Sequence, residues 1–209
     1  MKLIAALCAV LLAAAGAVAS ADAAKKHKRP YCNPRHTKVL KKNSAVRIIY
    51  VEHPGDDDFY GTPATVYACF PARKRRTKLF EIDGSLAWKP QRLALTKRYF
   101  AFFATTTDSV CEKYQQPNCS GSYVTRFRLS NGRERCRTSV LASALALTSN
   151  GWIAWLESGA TGQPSTLTGC DSAGNRTLDR ASIDPASVHA AGTSVEWTRD
   201  GQPASAVLR

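Results

Sequence analysis

The sequence predicts an all-β chain made of repeated four-stranded units, and three observations carry that expectation. Short runs rich in Val, Ile, Tyr, Phe, Trp and Thr are broken by Gly, Pro, Asn and Asp, while helical periodicity is scarce. The tetrapeptide Leu93-Ala94-Leu95-Thr96 recurs letter for letter as Leu145-Ala146-Leu147-Thr148. Each copy leads into an aromatic run, Tyr99-Phe100-Ala101-Phe102-Phe103 and Trp152-Ile153-Ala154-Trp155-Leu156, and the runs agree at the central Ala.

The chain has 209 residues, 44% apolar and 22% charged, with a formal charge of +13. That composition excludes wholesale disorder and is long enough to bury a substantial core. Residues 1–23 have the form of a Sec-type signal peptide. Lys2 precedes an apolar run from Leu3 to Val18, and small residues allow cleavage after Ala21 or Ala23. Beyond it no apolar run reaches the length of a membrane span, so none is expected after cleavage. The expected location is secreted or cell-envelope associated. Residues 24–36 then read as a basic flexible arm. From Lys25 to Arg47 there are nine Lys and Arg and no acid, and like charges in a block repel one another.

The repeat domain is expected over residues 37–209, in units of about 37–82, 93–138, 145–179 and 188–209. Each unit opens with a short strand followed by an aromatic strand: Arg47 to Val51, Tyr99 to Phe103, Trp152 to Leu156 and Ser194 to Thr198. Aligning central aromatics puts Tyr50, Phe102, Trp155 and Trp197 in equivalent buried positions, at spacings of 52, 53 and 42 residues. Third strands follow at Thr65 to Phe70, Tyr123 to Leu129, Ser165 to Cys170 and Ala204 to Leu208. Turns follow the first three, at Pro71-Ala72-Arg73, Ser130-Asn131-Gly132 and Ser172-Ala173-Gly174. Thr77 to Ile82, Glu134 to Thr138 and Arg176 to Leu178 close those units. The fourth unit stops short, and Thr37 to Leu40 is expected to help complete its sheet.

Four-stranded units repeated at this period have the pattern of β-propeller blades, so the expectation is a β-propeller-like array of about four repeats, the last incomplete. Over residues 37–209 the chain resembles the WD40-like, TolB-like propeller repeats of exported bacterial proteins. Leu129-Ser130-Asn131-Gly132-Arg133 is the best local match to their x-x-G-R turn. No Trp-Asp dipeptide closes a unit, and the loops vary in length. The resemblance implies a scaffold and carries no catalytic residue across.

Six cysteines follow the signal segment, and an even number in an exported chain favours disulfides. Cys111 and Cys119 flank one loop and are expected to pair, with Cys32–Cys69 and Cys136–Cys170 for the rest. There is no C-x-x-C and there are only four His, so no metal site is expected; Asp56-Asp57-Asp58 lacks the spacing that converges ligands on one ion. No cofactor motif or nucleophile elbow occurs.

Basic residues gather in the arm (Lys25, Lys26, Lys28, Arg29), at Arg73-Lys74-Arg75-Arg76 with Lys78, and at Arg126 and Arg128. Alternation puts Arg126 and Arg128 on one strand face, opposite Phe127, where they are expected to be exposed together. Such clusters suit an anionic surface. Among the arm residues only Tyr31 supplies an aromatic for base stacking, so no specific nucleic-acid recognition is expected.

The chain therefore reads as an exported, non-enzymatic β-repeat scaffold or binding module. Its partner would be an unknown protein or an anionic envelope polymer. The alternatives are a weak anionic-polymer binder using the arm and hairpin arginines, or a secreted hydrolase. The hydrolase would need His53, Asp108, Glu157 or Asp200 to cluster.

Overall fold

The computed structural model describes residues 31–53, 62–108, 120–161 and 163–209. They form four antiparallel sheets in chain order, with no α-helix among the described residues. The first sheet holds β1 (Thr37–Lys42), β2 (Arg47–Glu52), β3 (Ala64–Phe70) and β4 (Arg75–Ile82). The second holds β5 (Leu86–Leu95), β6 (Tyr99–Asp108), β7 (Ser120–Arg128) and β8 (Arg133–Ser139). The third holds β9 (Ala142–Leu147), β10 (Ile153–Glu157), β11 (Ser165–Asp171) and β12 (Gly174–Ala181). The fourth stops at three strands, β13 (His189–Ala191), β14 (Ser194–Arg199) and β15 (Gln202–Val207). Each sheet is an up-and-down meander, and the opening strands β1, β5, β9 and β13 lie beside one another in order. The arrangement is compatible with a β-propeller-like architecture, but the sheets do not close into a ring.

Two bulges recur in every complete sheet. The opening strand bulges at Leu40, Gln91 and Ser143, and the closing strand bulges at Leu79, at Cys136–Arg137 and at Leu178. The closing strands are otherwise largely polar and exposed. The bulge re-aims one apolar side chain of each toward the next sheet, so Leu79, Cys136 and Leu178 all reach inter-sheet clusters. The second sheet begins at Leu86, ahead of the expected Leu93. Pro90 argues against a strand from sequence, yet it sits at the bulge, where a missing N–H is tolerated.

The core lies between the sheets. Ile48, Val66, Phe100, Phe102 and Phe127 fill the space between the first and second sheets. Ala101, Phe103, Val124, Ile153 and Trp155 fill the next, and Ala154, Leu156, Leu167, Val195 and Trp197 fill the last. Phe100, Phe102 and Trp155 are at most 1% exposed, and each such side chain contributes about 1.5–3 kcal/mol through burial. Phe102, Trp155 and Trp197 each face the preceding sheet, as an equivalent position requires. Tyr50 is the exception. It packs toward the following sheet, because aligning the first unit by its aromatic shifts the register to the opposite face of the strand.

The two ends of the array are sealed differently. Cys32, Ile49, Val51 and Cys69 form a small cluster on the outer face of the first sheet, pinned by the Cys32–Cys69 disulfide. Cys32 and Tyr31, both within the segment read as arm, belong to this cover: the Tyr31 hydroxyl accepts from the Arg76 amide at 3.2 Å. On the fourth sheet the outward face is mixed, with Val207 and Pro203 among polar side chains, and His189 lies 3.2 Å from Glu196. Its free edge is blunted as well. Asp200 and Gly201 have φ of 49° and 79°, a two-residue hairpin turn of the primed kind. That turn directs the nitrogen of Pro203 outward, where it offers no hydrogen. Thr37–Lys42 pairs with β2 in the first sheet. The expectation that Thr37 to Leu40 completes the fourth sheet is therefore corrected: β1 is an edge strand of the first sheet, and the fourth sheet is β13-β14-β15 alone.

Cys136 and Cys170 form the second expected disulfide, between the second and third sheets. Cys111 and Cys119 lie outside the described residues, as does Asp56-Asp57-Asp58.

Candidate functional site

In a meander, the first and third hairpin turns emerge at the same end of the sheet. The first two sheets thus present four turns on one rim. The β1–β2 turn is fixed by Asn43, whose Oδ1 accepts from the amides of Ala45 and Val46 at 2.9 and 3.0 Å. Its Nδ2 donates to the Thr96 carbonyl at 3.1 Å and ties this turn to the β5–β6 turn. The Leu129 amide donates to the Arg98 carbonyl at 2.9 Å, and Arg75 Nη2 donates to the Ser130 carbonyl at 2.6 Å. At Gly132, with φ of 69°, an added Cβ would lie 2.2 Å from the Lys78 carbonyl oxygen. Only glycine lets the β7–β8 turn settle against β4.

These tied turns enclose a groove of about 490 Å3. Phe70, Ala72, Ala45 and Leu129 supply its apolar surface, and Arg73, Arg75, Lys97, Arg98 and Arg128 its charge. No carboxylate lines it, and none of the five cations is ion-paired with a described acid. The hydrogen bonds between turns hold the arginine-bearing backbone in place without a bound ligand. Guanidinium groups converging on one concavity match the bidentate geometry of phosphate or carboxylate oxygens.

Three of the residues singled out from sequence, Arg73, Arg75 and Arg128, meet in this groove. Lys74 sits at the turn after the short 3-10 segment Pro71–Arg73, with φ of 46°. Lys78 pairs with Glu81. Arg76 lies over the rings of Tyr31 and Tyr67, at 5.4 and 4.9 Å, on the outer face of the first sheet. Arg126 corrects the expectation of shared exposure. It is only 5% exposed, with its guanidinium 5.1 Å from the Tyr99 ring and 4.8 Å from the Trp152 ring. Burial pushes its pKa down. Alternation groups Arg126 with Arg128 correctly, but Trp152 from the third sheet covers one of them.

Lys25, Lys26, Lys28 and Arg29 lie outside the described residues. Lys97 and Arg98 were not singled out from sequence; counting turns along the meander would have placed them on the same rim as Arg73 and Arg75.

The residues weighed for hydrolysis are engaged separately. His53 Nε2 shares a 2.8 Å hydrogen bond with Thr65 Oγ1, and Glu157 accepts from the Trp155 indole at 2.8 Å. Asp200 occupies the last hairpin turn, and Asp108 ends β6. No group of three potential metal ligands occurs among the described residues.

No protein-family model matches the chain, and no curated protein matches it. The two disulfides are consistent with an extracellular or envelope location. No helix among the described residues is long and apolar enough to cross a membrane.

Proposed function

We propose that the chain is an exported, non-enzymatic binding module, related in plan to WD40-like, TolB-like repeats, that holds an anionic polymer of the cell envelope. Residues 1–23 direct export in this reading. One observation carries it: five cations from three turns share one groove with no carboxylate in its lining. An anion entering that groove gains charge-assisted hydrogen bonds and displaces no internal ion pair. The five cations lie along the groove beside Phe70 and Leu129, an arrangement that suits successive anionic groups of a polymer backbone.

The test is a titration of the full mature chain with labelled polyphosphate at several salt concentrations. Neutralising up to five phosphates gives a log-affinity against log-salt slope of about −3.5 for a flexible strand. The double variant Arg75→Ala/Arg98→Ala lowers the magnitude of that slope by about 1.4. Binding without salt dependence, or a slope unchanged in the variant, overturns the reading.

A further inference from the structure

We propose that the cavity at the opposite rim of the same inter-sheet interface is a binding site for a neutral sugar ring. It is independent of the basic groove, with which it shares no lining residue. Its volume of about 340 Å3 lies at the small end of ligand pockets and accommodates a monosaccharide unit.

The walls are aromatic. Trp88, Phe80, Phe102, Phe127 and Tyr123 all line the cavity. They brace one another: Trp88 stacks on Tyr50 at 6.0 Å and meets Phe102 edge-on at 5.4 Å. The platform is therefore rigid before any ligand arrives. Aromatic faces carry negative charge density and attract the polarised C–H bonds on the face of a pyranose.

Two polar features point to hydroxyl groups. The Trp88 indole Nε1 is buried and has no hydrogen-bond partner. The Tyr123 hydroxyl lies close enough to interact with the indole, so a ligand oxygen in this corner of the cavity meets both groups. A buried donor left unpaired is costly, so a ligand acceptor there gains more than it would in water. The second feature is Glu134. Its Oε1 accepts from Thr125 Oγ1 at 2.8 Å and faces Arg137 at 3.5 Å. Both contacts use the same oxygen and Glu134 lines the cavity, so Oε2 can accept from a ligand hydroxyl.

Charge and hydrogen bonding together select the ligand class. Glu81, Asp83 and Glu134 line the cavity against the single cation Arg137, so an anion is repelled. A quaternary ammonium suits an aromatic cage but offers no acceptor to the indole. An apolar ligand leaves the indole unpaired. A sugar ring supplies the apolar face, the acceptor and the donor at once.

The experiment uses the full mature chain labelled with 15N and follows the Trp88 indole resonance, assigned with Trp88→Phe. Methyl glycosides of a hexose, a pentose and an N-acetylhexosamine are titrated separately, with tetramethylammonium as the cationic alternative. The expected result is a saturable shift with at least one glycoside and none with tetramethylammonium. Glu134→Gln weakens glycoside binding about fivefold to tenfold, the loss of one charge-assisted hydrogen bond. No saturable shift with any glycoside overturns the proposal, as does a response to tetramethylammonium alone. Equal affinity in Glu134→Gln also overturns it, and that test stands even if Trp88→Phe fails to fold.

Discussion

Cys136 and Cys170 join the second sheet to the third with their Cα atoms 5.9 Å apart, and Cys136 does so from a φ of 61°. A left-handed conformation is uncommon for a residue with a side chain, and here it belongs to the bulge on β8. The bulge turns the thiol off the polar strand toward β11. Replacing both cysteines by serine opens a loop with a sequence separation of 34 residues. The expected loss is about 3–4 kcal/mol, read as a lower urea midpoint.

Gly151 meets the second sheet through the Tyr99 ring. An added Cβ would lie 2.4 Å from that ring, and the residue has φ of 92°. Gly151→Ala is expected to cost about 2–4 kcal/mol by combining backbone strain with a forced ring shift. Gly174→Ala is the control, since its positive φ of 98° faces open space. It should cost only about 1 kcal/mol. Thermal melts of the two variants separate strain from overpacking.

Arg126 is a charge held between two rings, and its Nε has no hydrogen-bond partner. Methionine has similar length and no desolvation penalty, so Arg126→Met is expected to hold or raise the melting temperature. Arg126→Ala should lower it by leaving a cavity between the sheets. Neither variant should alter the salt slope of polyphosphate binding, because Arg126 is not in the groove lining.

Asp171 provides a pH handle. Burial opposes its ionisation, but the Ala173 amide, the Arg176 guanidinium and the Arg209 backbone outweigh that and hold the carboxyl below its ordinary value. A carboxyl depressed on folding stabilises the native state above the unfolded value, about 3.9. That contribution is lost as pH falls through the lower folded value. Wild type should therefore exceed Asp171→Asn in stability at pH 7, and the two denaturation curves should converge in acid.

The repeat was legible because one tetrapeptide survives in two copies and because turn residues punctuate the units. Both described disulfides were legible as pairs. What escaped depended on neighbours in space. The second unit is expected to open at Leu93, but its strand starts at Leu86 and carries Pro90 beside a bulge. Tyr50 aligns by residue type but faces the other way, since type does not fix parity along a strand. A basic dipeptide such as Lys97-Arg98 is ordinary in a hairpin turn; it becomes part of a site only beside Arg73 and Arg128.

The unlike ends give the array a polarity that bears on how such a chain can grow. The inner sheets bury apolar residues against both neighbours, the first sheet is shut by a disulfide-pinned cover, and the last leaves a mixed, uncovered face and a proline-bearing edge. A unit set against the outer face of the fourth sheet would find little apolar surface beyond Val207 and Pro203. One duplicated from the third sheet and inserted beside it would meet the surfaces it was copied from. On packing grounds, duplication within the array therefore buries more apolar surface than addition beside the fourth sheet.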